Sequence, residues 1–295
     1  MSVFRKTLEI RSSPHIVSGA SVDTIMFNVV LALLPVTAFA IYAFGLTALT
    51  TLATAVISCV VTEHLLCRSS QHESTVPDWS AVLTGLLYGL TLPPGLALWM
   101  VAVGGVIAVG VGKFLFGGLG HNPFNPALVG RAILQAAFPV PMTTWLASMA
   151  PQRFTSLPSS ALTFPFAEPA YDAVSGPTPL SAWKADHAAA ETSDLLFGYI
   201  TGSTGETCAL LILIGGGYLV ARRMMSWRIP VAILATVAVC SAILHAADPD
   251  RYAGPLFMLF SGGLMLGAVF MATDMVASPI TDLGRVVYGV LSGWL

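Results

Sequence analysis

The sequence predicts an all-α polytopic membrane protein, a bundle of transmembrane helices with broken or re-entrant segments and a weak internal repeat. Three observations support this fold class. Charged residues form 9% of the chain, against roughly a quarter in an average soluble domain, whereas 55% of the residues are hydrophobic. The run 24–45 carries no charge and is long enough to cross the roughly 30 Å core of a bilayer. Glycine and proline interrupt several other apolar runs.

The apolar runs divide the chain into four regions. Residues 1–23 form a basic tail, which we interpret as cytoplasmic and retained because it lacks a signal-peptide cleavage site. A first membrane helix group covers 24–140, a loop covers 141–206, and a second membrane helix group covers 207–295. The residues after Arg285 are too few to cross as a helix, so we expect the second group to be truncated.

We expect about eight crossings before the chain stops. The stretch 127–140 contains Arg131 and fits either a crossing or a re-entrant segment, because hydropathy does not separate the two at this length. The candidate spans are 24–45, 46–66, 80–92, 95–112, 127–140, 207–221, 229–246 and 255–273.

Basic residues give the orientation, since lysine and arginine accumulate in short cytoplasmic loops. They fall at alternate ends of the candidate spans, on the side of the N-terminal tail. These residues are Arg68, Lys113, Arg222, Arg223, Arg228 and Arg285. The acidic loop 141–206 then lies on the outer side of the membrane. From hydropathy alone such a loop is a surface connector.

Two further features narrow the function classes. The net charge is −2 and the chain has no basic stripe, so nucleic acid is not expected as a partner. The four cysteines form no C-x-x-C pair, so neither a metal site nor an iron–sulfur cluster is expected. We interpret them as inert thiols of the core.

The first informative break in the apolar pattern is the Gly/Pro/Asn-rich stretch 117–126. Irregular backbone at membrane depth survives only where protein or a water-filled cavity satisfies its polar groups. Asn122 and Asn125 are candidates to provide those hydrogen bonds. Arg131 follows in the next apolar run, where it is either a functional intramembrane cation or an anchor that reaches back to the interface.

Two related breaks occur later in the chain. Thr204 and Glu206 lie in 202–206, which is also a plain helix-capping sequence. Asp274 ends an apolar run, and from position alone it is a cytoplasmic loop acid. Half-helices that meet near mid-membrane expose N–H donors, so the breaks are candidates for an ion, phosphate or flavin site.

The two halves also show a faint likeness. Pro126-x3-Gly130-Arg131 is similar to Pro279-x4-Gly284-Arg285, which hints at an internal duplication of the kind found in many transporters.

Four motifs taken together resemble a known family. The hexapeptide SGPTPL (175–180) is similar to the S-G-A-T sequence at which flavin mononucleotide (FMN) is joined to a threonine. GHNPFNPALVGRA (120–132), GSTGE (202–206) and ATDMVASP (272–279) look like further signatures of the same family. The chain therefore resembles the D subunits of Rnf ion-translocating ferredoxin:NAD oxidoreductase complexes and, more distantly, the B subunits of the sodium-translocating NADH:quinone reductase. The likeness covers nearly the whole chain.

This resemblance implies a covalent FMN on the hydroxyl of Thr178, attached by a separate flavin transferase. Ser175 and Gly176 would keep the attachment turn tight and accessible, and Lys184 is either a counter-charge to the phosphate or an ordinary solvated lysine. The same analogy allows, without requiring, a second noncovalent flavin such as riboflavin in the membrane core. The candidate core residues are Asn122, Asn125, Arg131, Thr204, Glu206 and Asp274.

The resemblance further implies an electron-carrying subunit without catalytic residues of its own, because the flavin ring supplies the redox chemistry. Its partners would be membrane lipid and sibling subunits that hold iron–sulfur clusters and another flavin, in a complex that moves Na⁺ or H⁺. Two alternatives stay open. A cofactor-free secondary transporter or channel would be colourless, and a purely structural anchor would tolerate replacement of Thr178.

Overall fold

In the computed structural model, residues 21–70, 75–165, 167, 176–187, 190–206 and 208–295 are described. Over these residues the chain forms α-helices and short 3₁₀ turns, without a β-strand. The helices are α1 (Val22–Phe44), α2 (Leu46–Ser69), α3 (Ser80–Leu90), α4 (Leu98–Gly110), α5 (Pro126–Ala137), α6 (Pro139–Met142), α7 (Pro179–Asp186), α8 (Thr192–Phe197), α9 (Ala209–Ala221), α10 (Arg228–Ala247), α11 (Pro255–Phe260), α12 (Leu264–Leu266) and α13 (Asp282–Trp294).

Among the described helices, four are long and apolar enough to cross a membrane. They are α1, α2, α10 and the run Leu98–Phe116, which extends α4 through a 3₁₀ turn. The helices α3 and α9 are apolar but shorter. The all-helical membrane fold predicted from the sequence is thus confirmed, and each candidate span before 255 contains one of these helices or α5.

The outer surface of the bundle is itself apolar. On α10, the side chains of Val231, Val239 and Ile243 are 52%, 58% and 64% exposed. Such a surface is costly in water and suits a lipid solvent, which agrees with the charge-poor composition.

One predicted span is not continuous. The run 255–273 was expected to cross as a single segment, but the structure ends α11 at Phe260 and resumes as α12 at Leu264. Gly262 adopts a positive φ of 69° at the break. After α12 the chain continues as a π-helical turn, Gly267–Met271. The break lies at Ser261-Gly262-Gly263, which contains no proline. The apolar pattern of 255–273 continues through it and did not reveal it.

The helices pack as two groups around one apolar core. In the first group α2 lies against α3 and α4, and α4 lies against α5; in the second, α10 lies against α11 and α13. The helices α1 and α9 join the groups. The core between them is filled by fully or almost fully buried side chains, which include Leu33, Val36, Tyr88, Leu134, Ile212 and Leu266.

A polar contact reinforces the junction of α1 and α9. The hydroxyl of Tyr218 donates to Oδ1 of Asn28 over 2.6 Å, and a guanidinium nitrogen of Arg222 reaches the same oxygen at 3.4 Å. Asn28 is buried near the start of α1, so this amide would be costly without partners. We call this end of the bundle, which also carries Arg285, the basic end.

The opposite end, here called the loop end, is covered by the connection that follows α5. At the corner between α1 and α2, Gly45 adopts a φ of 67°. The amide of Met149 donates to the carbonyl of Ala43 over 2.8 Å, and that of Leu46 donates to the carbonyl of Arg153 over 2.8 Å. Residues 151–165 of this connection form turns, a short 3₁₀ helix (Ser159–Leu162) and irregular backbone.

Close helix packing depends on glycine at one site in particular. A Cβ atom added to Gly85 of α3 would stand 2.6 Å from Cα of Val56 and 2.9 Å from the carbonyl oxygen of Ala55, both backbone atoms of α2. Gly217 of α9, in contrast, has open space where a Cβ would be added.

We therefore expect Gly85→Ala to lower the free energy of unfolding by about 1–3 kcal/mol, because α3 must move away from α2. Gly217→Ala is the matched control and is expected to leave stability unchanged or slightly higher, since alanine favours the helix. Thermal unfolding in detergent measures both. Equal stability of the two variants would contradict the packing described for Gly85.

Candidate functional site

The SGPTPL motif places Thr178 at the start of a short helix on the loop end. Thr178 is the N-cap of α7, and its Oγ1 accepts a hydrogen bond from the amide of Ser181 over 3.3 Å. The same hydroxyl lies 3.1 Å from Oγ of Ser181. Pro179 occupies the first helical position, where its missing N–H costs nothing. The local sequence thus fixes an accessible hydroxyl at a helix N-terminus.

The turn that carries Thr178 is held against the membrane helices. The amide of Gly176 donates to the carbonyl of Trp145 over 3.1 Å. Within α7, the ring centroid of Trp183 lies 5.8 Å from that of Phe257 on α11. Leu180 reaches Gly262, so that a Cβ there would stand 3.1 Å from Cδ1 of the leucine. The turn that carries Thr178 therefore sits over the break between α11 and α12.

Two neighbours predicted for Thr178 differ in outcome. Ser175 lies outside the described residues, so its role stays a prediction. Lys184 is exposed in the last turn of α7. It forms no hydrogen bond or ion pair among the residues that the structure describes, and it lies at the opposite end of the helix from the Thr178 hydroxyl. No contact in the structure supports the counter-charge role of Lys184, and that role stays a prediction.

The break 202–206 folds inward from the loop end. The amide and hydroxyl of Thr204 donate to the carbonyl of Leu92 over 3.0 and 2.8 Å, and the amide of Gly205 donates to the carbonyl of Leu90 over 2.7 Å. Both acceptors lie at the end of α3, whose last carbonyls lack helical partners. The segment 202–206 therefore caps the end of α3 with these hydrogen bonds, and not the start of α9, which follows it in the chain.

Glu206 turns back onto its own loop. Its Oε2 accepts from the amide of Ser203 over 3.3 Å, and its Oε1 lies where a Cβ on Gly263 would stand 3.0 Å away. The hydroxyls of Ser203 and Ser261 are buried beside this region and have no hydrogen-bond partner among the described residues. The carboxylate thus links the 202–206 loop to the break between α11 and α12.

Three of the remaining predicted core residues lie together at the basic end. Asn122, Asn125 and Asp274 line one cavity of about 80 Å³, which also contacts Lys113 and Phe270. The structure therefore separates the candidate core residues into two places: Thr204 and Glu206 at the loop end, and the two asparagines with Asp274 at the basic end.

Asn122, Asn125 and Asp274 each form a hydrogen bond to a backbone group two residues away. Oδ1 of Asn125 caps α5 by accepting from the amide of Ala127 over 3.0 Å. Asn122 donates to the carbonyl of Phe124 over 3.0 Å, but its Oδ1 is buried and has no partner among the described residues. Oδ1 of Asp274 accepts from the amide of Val276 over 3.1 Å. The unpartnered oxygen of Asn122 is the atom of the cavity that most needs a donor.

Arg131 is not part of either group. It is half-buried on α5 and forms no hydrogen bond or ion pair in the part of the chain that the structure describes. It does not line the basic-end cavity. Both interpretations offered from the sequence, a functional cation and an interfacial anchor, therefore stand.

The structure adds an ion pair that the sequence analysis missed. Nζ of Lys113 lies 2.8 Å from both carboxylate oxygens of Glu63 on α2 and 2.6 Å from Oγ of Ser80. The side chains of the lysine and the glutamate are only 4% and 2% exposed, and Thr75 donates to the same carboxylate. The charge pattern counted Lys113 as a loop cation, but it is buried. A lone acid inside the span 46–66 was the available signal, because such a carboxylate needs a cation.

Comparisons with known proteins give a consistent result. Residues 9–295 match the model of the NQR2, RnfD, RnfE family. The chain is 43% identical over 295 residues to the D subunit of the ion-translocating oxidoreductase complex of Stutzerimonas stutzeri, covering 94% of this chain and 82% of the relative.

Two further relatives carry more specific names. The D subunit of the Na⁺-translocating ferredoxin:NAD⁺ oxidoreductase complex of Acetobacterium woodii is 41% identical, with 97% of this chain and 83% of the relative aligned. The D subunit of the proton-translocating ferredoxin:NAD⁺ oxidoreductase complex of Clostridium ljungdahlii is 37% identical, with 97% and 84% aligned. Proteins of this similarity are thus named for two different ions.

The buried pair makes a direct prediction. Lys113→Met should lower the free energy of unfolding by about 3–5 kcal/mol, because it leaves the Glu63 carboxylate buried without a cation. The double variant Glu63→Gln/Lys113→Met should recover a large part of that loss, since neither buried charge is then left unpaired.

Asp282→Asn is the control, because the carboxylate that it shares between Arg228 and Arg285 is 63% exposed and each pair is expected to contribute less than about 1 kcal/mol. Denaturant titration in detergent compares the three variants. A double variant as unstable as Lys113→Met would show that the two residues do not act as a pair.

Proposed function

The chain belongs to the NQR2, RnfD, RnfE family, and from this premise we propose that it is a membrane subunit of an ion-translocating ferredoxin:NAD oxidoreductase complex that carries FMN covalently on Thr178. The observation that carries the proposal is the position of Thr178. A threonine within the SGPTPL motif caps an accessible helix on the loop end, directly over a broken membrane helix.

The surroundings of Thr178 suit a phosphoester. A phosphate on Oγ1 would lie at the N-terminus of α7, where free N–H groups and the helix dipole favour an anion. The amide of Ser181 already donates to Oγ1, whereas the Ser181 hydroxyl accepts from Oγ1 and donates to the carbonyl of Thr178. Gly176 keeps the preceding turn small, since a Cβ there would meet Oγ1 of Thr201 at 2.9 Å.

The flavin and the protein chain would contribute different parts of the function. When bound, the flavin supplies electron transfer between its oxidised and reduced forms. The chain provides the ester oxygen of Thr178, donors at the start of α7, and the contacts of Leu180 and Trp183 that hold α7 on the membrane helices. The attachment turn thereby sits at a fixed place beside the bundle, where sibling subunits can reach it.

The partners and location proposed here follow the same family argument. They are the other subunits of the complex, which hold iron–sulfur clusters and another flavin, a flavin transferase for maturation, and the lipid of a bacterial inner membrane with Thr178 on the periplasmic side. The coupling ion is Na⁺ or H⁺, because similar relatives are named for each.

A second, noncovalent flavin has less support. The cavity beside Asn122 has suitable polar groups, and the unpartnered Oδ1 of Asn122 would accept a ring N–H. Its volume of about 80 Å³ is, however, well below the roughly 300 Å³ at which ligand pockets begin. A ring system would need to displace side chains of the wall, so we assign no second flavin to this conformation.

The covalent flavin is tested on a denaturing gel. Wild-type membranes should give a band with flavin fluorescence at the mass of this protein, and Thr178→Ala should abolish the fluorescence because the only proposed ester oxygen is gone. The same variant should still insert into the membrane, since the hydrogen bonds of the Thr178 hydroxyl to the described residues lie within its own helix turn.

Thr192→Ala, at the exposed start of α8 in the same outer region, is the matched control and should keep full fluorescence. A wild-type band without fluorescence would instead favour the cofactor-free transporter or channel. Fluorescence that persists in Thr178→Ala would move the attachment to another residue.

A further inference from the structure

A second polar cavity lies at the basic end, outside the sites described so far. It has a volume of about 340 Å³ and is formed where α9 turns into α10 and meets α13. Three arginines line it, Arg223, Arg228 and Arg285, and we call it the arginine pocket. Ser226 and Trp227 complete the polar part of its wall.

The three arginines of the pocket carry more positive charge than the Asp282 carboxylate beside them can balance. Oδ1 of Asp282 is shared by Arg228 and Arg285, at 3.1 and 3.2 Å. Arg223 forms no ion pair among the residues that the structure describes. The pocket wall itself contains three guanidinium groups and no carboxylate, because Asp282 does not line it. An anion in the pocket would relieve the mutual repulsion of the arginines.

The wall also offers unused hydrogen-bond capacity. Oγ of Ser226 is buried and has no partner in the described part of the chain. The helix α10 begins at Arg228 without a side-chain cap, so the positive end of its dipole points to the same place. Guanidinium, hydroxyl and helix N-terminus together form a donor set that suits a phosphate oxygen.

The apolar part of the wall identifies the kind of phosphate. Met224 and Met225 line the pocket beside the arginines, and Trp227 is 53% exposed at its rim. One turn further along α10, Val231 is 52% exposed on the apolar outer surface. Tryptophan and arginine at the end of a membrane helix mark the headgroup level of the bilayer. A ligand here would meet a cationic site and, directly next to it, an acyl-chain surface.

We propose that the arginine pocket binds the phosphate headgroup of an anionic phospholipid such as phosphatidylglycerol. Basic pockets between membrane helices on the cytoplasmic side have the required chemistry. The headgroup phosphate contacts Arg223 and the Ser226 hydroxyl, and its acyl chains lie along α10. The lipid thereby fixes the turn between α9 and α10 to α13.

The test measures lipid binding to the full chain purified in a neutral detergent, by native mass spectrometry, with phosphatidylglycerol and phosphatidylcholine of identical acyl chains as probes. Wild type should retain phosphatidylglycerol in preference. Arg223→Gln should weaken that binding about five-fold, which is the contribution of one basic residue near a membrane surface. This variant breaks no ion pair among the described residues, and circular dichroism should be unchanged.

Two control variants accompany it. Arg223→Lys keeps the charge and should retain most of the preference, and Arg251→Gln removes an arginine beyond the other end of α10 and should retain all of it. Equal binding of the two lipids by wild type, or an unchanged preference in Arg223→Gln, would overturn the proposal. Inorganic phosphate that displaces phosphatidylglycerol at equal concentration would reduce the pocket to a small-anion site.

Discussion

Backbone satisfaction without water is the constraint on which the structure depends. In hydrocarbon, each unpaired N–H or C=O costs several kcal/mol, so a helix that ends within a membrane needs a partner there. The loop 202–206 is that partner for α3, through the bonds from Thr204 and Gly205 to Leu92 and Leu90. Because this loop comes from the second half of the chain, the contact also sets where the second helix group begins. The attachment turn at Thr178 rests on the same region.

The pair of Glu63 and Lys113 satisfies the same constraint at the basic end. It joins α2 to the segment after α4 and adds Ser80 at the start of α3, so three elements meet at one charge pair. Its desolvation is costly, and a buried pair is weak evidence for stability by itself. Its more specific effect is geometric, since it fixes how deep the chain after α4 sits beside the cavity lined by Asn122.

The parts of the structure that follow from hydropathy were predictable, and the parts that follow from pairing were not. The charge-free run at 24–45 gave α1 to within three residues, because lipid solvation acts on each residue separately. The break at Gly262 and the burial of Lys113 depend on which distant segments meet. The lone acid in 46–66 shows that a cation is needed there, but not that the cation is Lys113. Thr178 was found through its motif rather than through physics, and the separation of Asn122 from Thr204 appeared only in three dimensions.

The contact of Tyr218 with Asn28 has a mechanical consequence. It joins α1 to α9 at the basic end. The hydrogen bonds from 202–206 to α3 join the two halves of the chain at the loop end. A rocking motion of one half against the other would break hydrogen bonds at both ends at once. These hydrogen bonds therefore resist relative motion of the two halves.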